Sequence, residues 1–428
     1  MKLSRPKVAL LFAGLLFLSA DIIVGQETND LQNVEQTSQD WLQWRGPDRD
    51  GLLKGASWPE ALKDRLKLSW EKTLEPSYSG PIVTASQVIT TETVERKLER
   101  VTAFDLKDGK KVWSQEWEGS MAVPFFAAAN GDWIRSTPAA DSKRIVIAGM
   151  RDLLVCLEIE TGKELWRVDL PKEQGTPLQS FGCVCSPLID GDAVYLQSGG
   201  GLVKLSMDSG KVIWRTLDNG GGMMTGGAFS SPVIATIAGK RQLVVATRDR
   251  LVGVELADGK QIWDEPIESF RGMNILTPVM VGERVFSSAH SGRSRLFEVG
   301  YDTDNQMGVE QVWENKAQGY MSSPIIMDGH LYMHLKNERV VCVDLKTGEE
   351  RWTSKTFGKY WSMVGNVDSK TFLALDSDGT LRLIAADPKE LRIVDEAKVA
   401  DDSWAHLAVR GSTVVVRALN AIRVYDWK

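Results

Sequence analysis

A spacing of four residues from glycine to tryptophan recurs five times: Gly109 to Trp113, Gly162 to Trp166, Gly210 to Trp214, Gly259 to Trp263 and Gly348 to Trp352. The surrounding unit is clearest at Val340 to Trp352. An apolar, β-branched run leads to a turn built on Asp344 and Gly348, and a second strand is entered at the tryptophan. Upstream of each copy a small residue precedes proline and an apolar strand, at Gly80-Pro81, Thr137-Pro138, Ser186-Pro187, Ser231-Pro232 and Ser323-Pro324. Thr277-Pro278 does the same before Trp313, where Gly308 stands one residue further from its tryptophan. Proline suits the first residue of a strand, where no ladder N–H is needed.

From Trp113 the tryptophans lie 53, 48, 49, 50 and 39 residues apart (166−113, 214−166, 263−214, 313−263, 352−313), a period near that of a four-stranded propeller blade. Units this short cannot bury a core alone, and a radial stack closes on itself. The expected fold is therefore all-β, an eight-bladed β-propeller of four-stranded antiparallel blades over residues 65–428. Six blades are the proline-to-tryptophan units. A seventh runs from Trp361 to Leu391–Val394, with Val394 where tryptophan would stand. The eighth takes three strands from Trp404 to Asp426 and its last from Leu66–Leu74, because the C-terminus stops at the aspartate of the turn. Pairing an N-terminal strand with the C-terminal blade leaves the ring without an open edge.

The formal net charge of −6 and the absence of a long basic run exclude nucleic acid as an expected partner. Lys2, Arg5 and Lys7 precede an apolar run from Val8 to Leu18 and small residues, the pattern of a signal peptide over 1–25. Export to a periplasmic or extracellular space follows, with no membrane span after cleavage. No cysteine lies near the cleavage site, so no lipid anchor is expected. Residues 26–40 are polar and read as a flexible linker, and 41–64 as an N-terminal arm that Trp41 and Trp44 pin to the propeller's face. Asp48 and Asp50 read as a tight Asx turn, since a calcium loop needs more acidic ligands. A monomer is expected.

The pattern Ala103-Phe104-Asp105-Leu106-Lys107-Asp108-Gly109-Lys110-Lys111-Val112-Trp113 resembles the tryptophan-docking repeat of the pyrroloquinoline-quinone-like (PQQ-like) β-propellers. The resemblance covers roughly residues 65 to 428. It implies that Trp70, Trp113, Trp166, Trp214, Trp263, Trp313 and Trp352 pack between neighbouring blades. Quinoprotein dehydrogenases of this superfamily carry a vicinal disulfide, a calcium ion and an aspartate base. The nearest feature here is Cys183-Val184-Cys185, two residues expected to share a strand face and to pack in the channel wall. In size, blade count and signal peptide the chain is also similar to BamB, a scaffold of the outer-membrane assembly machinery.

In such propellers the residues just before each innermost strand lie at one mouth of the channel. Read there, the chain offers Tyr78, Trp133, Arg135, Phe229, Arg271, Asn274, Tyr320, Trp361, Trp404 and His406 as ligand contacts, aromatic planes and guanidiniums suited to an anionic or sugar-like ligand. His330 and His334 share a strand face without a third ligand and read as surface or edge residues. The glycine-rich Gly220–Gly227 lacks a P-loop ending and reads as an inter-blade loop. No catalytic or metal-binding residue stands out. The expected function is a non-enzymatic scaffold or ligand-binding module, meeting a protein partner or small ligand through its loops and needing no cofactor. The alternative is an oxidoreductase acting on alcohols or sugars, with PQQ and calcium.

Overall fold

The computed structural model describes residues 40–427, apart from 56, 219, 223–225, 304 and 305. The signal peptide and nearly all of the linker expected at the N-terminus lie outside the described residues. The rest forms eight four-stranded antiparallel sheets, each running outward from a short inner strand. Blades 1 to 7 begin at Ile82, Ala139, Leu188, Val233, Val279, Ile325 and Ser362. Blade 8 takes Ala408–Arg410, Thr413–Ala418 and Ala421–Trp427 from the C-terminus and closes with Leu66–Thr73, paired antiparallel from Leu66 opposite Trp427 to Thr73 opposite Ala421.

The closure is reinforced where blade 8 meets blade 1. Arg417, 1% exposed, spreads its guanidinium over the carbonyls of Leu419 (3.0 Å) and Ala421 (3.2 Å) in blade 8, Glu75 (2.6 Å) in the connection, and Thr91 (3.3 Å) in blade 1. These carbonyls offset the cost of burying the cation, with Nε alone left without a hydrogen-bond partner among the described residues.

Each glycine of the repeat works with the tryptophan of the preceding blade. Gly162 holds a left-handed φ of +71°, and a Cβ there would come within 2.5 Å of Trp113. Gly109, Gly210, Gly259 and Gly348 stand in the same relation to Trp70, Trp166, Trp214 and Trp313. The indole Nε1 then donates to the carbonyl just past the turn's start: Trp70 to Leu106, Trp113 to Ile159, Trp166 to Met207, Trp214 to Leu256, Trp313 to Leu345 and Trp352 to Asp387, at 2.8–3.3 Å. Trp263 differs, because blade 5 replaces the tight turn with a longer hairpin beyond Tyr301. It donates instead to Gln242 Oε1 in its own blade (2.6 Å).

Blade 7 corrects the register expected for it. A bulge at Val394 places Asp395, opposite Leu383, where the other blades carry tryptophan, and Val394 is exposed. Bulges of this kind occur in the outermost strand of every blade and bend the free edges away from further pairing.

Candidate functional site at the channel mouth

The first part of the arm, residues 41–53, does not lie on the propeller's face. That part sits among the inner strands, with Trp41 1% and Trp44 7% exposed. Asp40 pairs with Arg410 of blade 8 (2.7 Å), and Trp41 exchanges two backbone bonds of 2.8 Å with Val83 of blade 1. The Leu42 carbonyl accepts from Ala140 of blade 2, and Leu52–Leu53 add a parallel strand to blade 7 opposite Gly365–Asn366. Between these anchors two guanidiniums reach across the axis. Arg49 donates to Ser186 O (3.2 Å) and Pro187 O (2.8 Å) of blade 3, and Arg45 donates to Pro324 O of blade 6. Burial lowers both arginines to about 10, which leaves them charged at neutral pH. The Asx turn is present: Asp50 Oδ1 accepts from the Leu52 amide at 2.8 Å.

Trp44 is the floor of the mouth. The guanidiniums of Arg45 and Arg49 lie 5.5 and 5.4 Å from its ring, and His406 meets it edge-on at 5.3 Å. Burial, with Arg45 nearby, lowers His406 to about 3, so this imidazole is neutral.

The walls explain the small residue before each proline. The Gly80 amide donates to the Thr137 hydroxyl, Thr137 to Ser186, Ser186 to Ser231 and Ser231 to Thr277, at 2.9–3.0 Å. A hydroxyl handed from blade to blade thus satisfies the amides at the inner strand ends, which proline at the next position leaves outside the ladder.

Above this floor opens a cavity of about 430 Å³, within the range of small-molecule sites. Of the residues expected there, Tyr78, Arg135, Phe229, Arg271, Tyr320, Trp361, Trp404 and His406 line it. Trp133 and Asn274 do not: Trp133 stacks under Arg96 at 5.3 Å, and Asn274 is fully buried with Nδ2 on the Thr247 carbonyl. Trp404 stacks on Tyr360 with centroids 4.0 Å apart and planes 11° apart, and Tyr78 leans on it at 4.9 Å. Arg135 donates Nε to Trp133 O (3.2 Å) and Nη2 to Gly131 O (2.8 Å), and burial lowers it to about 10.

Several lining residues were not anticipated. Arg248 comes from the hairpin between the second and third strands of blade 4 and lies 4.3 Å over Phe229. Phe126 comes from a 3-10 turn, Phe125–Asn130, inserted between blades 1 and 2, where the sequence signal was an unusually long gap between Glu118 and Pro138. Phe270 and Tyr360 sit beside the expected Arg271 and Trp361, and Phe181 stands two residues before Cys183, but none has a motif of its own.

Cys183 and Cys185 lie in the extended segment before Leu188–Asp190, not on a strand, and both are buried free thiols. Their Sγ atoms face the carbonyls of Cys185 (3.7 Å) and Ser186 (3.6 Å). His334 is buried against Trp361 and so is not a surface residue, whereas His330 is partly exposed.

The family model described as Outer membrane protein assembly factor BamB matches residues 97–354, more than half of the chain. A curated relative of that description from Moranella endobia is 22% identical over 75% of this chain and 78% of its own length. Among solved structures, BamB from Moraxella catarrhalis superposes with a TM-score of 0.62 at 15% identity, covering 85% of this chain and all of that one. Quinohemoprotein alcohol dehydrogenase ADHIIG from Pseudomonas putida HK5 superposes at 0.64 with 12% identity, covering 91% and 80%. At such identities the two structures attest the shared fold.

Proposed function

The chain belongs to the family described as Outer membrane protein assembly factor BamB, and on that basis we propose that it is an exported, non-enzymatic interaction module working through its channel mouth. The observation that carries this reading is the composition of the mouth. Aromatic rings and arginines line it, a buried arm floors it, and among the described residues no aspartate or glutamate lines it. General acid–base chemistry near neutral pH needs a titratable group in reach of a reacting atom. The histidine at this site, His406, is held neutral down to about pH 3.

A quinone–calcium pair does not fit this lining. Calcium takes oxygen ligands with carboxylates prominent among them, and among the described residues no carboxylate lines the cavity. Val184 separates the two cysteines, whose thiols burial pushes upward, Cys185 to about 12. Among the described residues no helix is long and apolar enough to cross a membrane, and export rests on the N-terminal sequence pattern.

Two measurements test the proposal. PQQ and calcium are added to the purified protein, which is assayed for a bound chromophore and for dye-linked alcohol or sugar oxidation. A photo-cross-linking amino acid at Phe126 is then activated in the exporting cell. The expected result is protein adducts at Phe126 with no chromophore and no turnover. Dye reduction by a quinone-loaded protein overturns the proposal.

A further inference from the structure

The mouth carries two features that scaffold geometry alone does not require. The first is positive charge that the lining itself does not offset with a carboxylate. Arg135 leaves Nη1 without a hydrogen-bond partner, and Arg271 makes no side-chain hydrogen bond or ion pair, among the described residues. Arg248, on the same lining, is engaged with the Arg271 carbonyl (3.3 Å), and Arg45 and Arg49 sit beneath the floor. This is a local excess of cations in a chain whose net charge is −6.

The second feature is an exposed aromatic lip. Phe125 is 91% exposed, Phe126 55% and Phe270 45%. Phe125 meets Phe126 edge-on at 5.6 Å, Phe126 meets Phe181 at 6.1 Å, and Phe181 meets Phe229 at 5.7 Å. An unbroken row of rings therefore runs from solvent to the guanidinium of Arg248. Contiguous exposed apolar surface of this kind marks an interaction site, whereas singly scattered residues do not. Phe270 is presented by Arg271, whose φ of +52° is a left-handed conformation that non-glycine residues adopt at a cost.

We propose that the mouth docks an acidic, aromatic-bearing segment of a partner protein, its apolar side chain on the Phe125–Phe126 lip and its carboxylates on Arg135 and Arg271. Charge complementarity selects an anionic occupant, and the arginine fork suits carboxylates. The lip selects a macromolecule over a small acid, because Phe125 projects beyond the space a cavity-sized ligand fills. The inference rests on the reading of the mouth as an interaction surface and adds the partner's chemistry to it.

The test pans phage-displayed random dodecapeptides on the immobilised full chain and measures synthetic copies of the winners by fluorescence anisotropy. Enriched peptides are expected to place Asp or Glu beside Phe, Trp or Leu. They are expected to lose about tenfold or more in affinity with Arg271→Gln, Arg135→Gln or Phe126→Ser, and nothing with Ile213→Ser on the outer edge of blade 3. Arg271 and Phe126 are exposed enough that their variants fold, so weakened binding in those two reports the surface itself even where Arg135→Gln disturbs the wall. The proposal is overturned by winners without acidic residues, by equal binding to the arginine variants, or by no enrichment. Sedimentation with phosphatidylglycerol vesicles, abolished by Phe125→Ser, in place of peptide binding also overturns it. If cross-linked adducts at Phe126 persist undiminished in Arg271→Gln, the interaction reading stands and only the acidic-segment inference fails.

Discussion

Trp166 and Asp395 occupy the same position of two blades, each just past the bulge of the outermost strand, yet the seams they close are built differently. Trp166 fills its seam with its own indole, donating to Met207 O and covering Gly210 of the next blade. Asp395 fills nothing. Its Oδ2 accepts the amides of Leu62 and Lys63, both at 2.7 Å, and so fixes the arm, whose Leu62 is 1% exposed in the core shared by blades 7, 8 and 1. Trp58 completes the substitution, donating to Thr371 (2.8 Å) and meeting Trp427 edge-on at 5.9 Å. A propeller seam thus needs apolar volume plus one polar tether, and the two need not come from one residue.

The largest difference between the seams is expected from truncating the indole. Trp166→Ala removes a buried ring and its hydrogen bond together and should cost about 3–5 kcal/mol in urea unfolding. An unchanged midpoint would mean that the tryptophan seams are not docked as described.

The seams should also respond to pH in opposite senses. In the seam between blades 1 and 2, burial raises Glu99 to about 7 despite bonds from the Met150 amide (2.6 Å) and Trp117 Nε1 (3.1 Å). Asp152, between blades 2 and 3, is raised to about 6, also by burial. Between the unfolded and folded values the native state binds the extra proton, so stability falls as pH rises from about 4.5 to 7, by on the order of 3 kcal/mol for Glu99. Asp395 is held below the ordinary carboxylate range by the amides of Lys63 and Leu62. Its contribution is present above about pH 4 and lost as pH falls through the lowered value. Melting temperature should therefore fall between pH 5 and pH 8 in the native sequence, and fall less in Glu99→Gln.

Glycine substitutions sharpen the contrast further. Gly162→Ala pushes a methyl into Trp113 at a φ of +71° and should cost about 1–3 kcal/mol. Gly308→Ala, in the long hairpin of blade 5 where no atom lies within 4 Å of the added methyl, should stay within about 0.5 kcal/mol. Equal effects at the two sites would remove the link between the glycine and the preceding blade's tryptophan. Asp395→Ala falls between these two glycine sites. Losing a carboxylate that caps two amides should cost about 1 kcal/mol, read as a small shift in the urea midpoint.

The ring was legible in the sequence because repetition is: the glycine–tryptophan spacing and the blade-like strand around Trp70 led to eight blades and to the closing pair. What the spacing could not convey is that Gly162 serves Trp113 and not Trp166, since the contact joins different repeats. Asp395 was missed by one position because a bulge adds a residue without leaving a sequence mark, and Val394 was the apolar neighbour. The arm's place among the inner strands was also hidden. Trp41, Trp44, Arg45 and Arg49 are buried by the innermost strands of other blades, and nothing periodic in residues 41–51 records that surrounding. At the mouth, residues preceding the inner strands could be located from the proline signal. Arg248 and Phe126 could not, because they arrive from a hairpin and an insertion that no repeat rule places.

Whether the arm stands in for a docking tryptophan can be read from amide hydrogen exchange at Leu62 and Lys63. In the intact protein these two amides should be protected, and in Asp395→Ala their protection should collapse while the amides of blade 3 are unaffected. Free exchange at Leu62 and Lys63 in the unsubstituted protein would mean that Asp395 does not tether the arm and that the seam is closed in some other way.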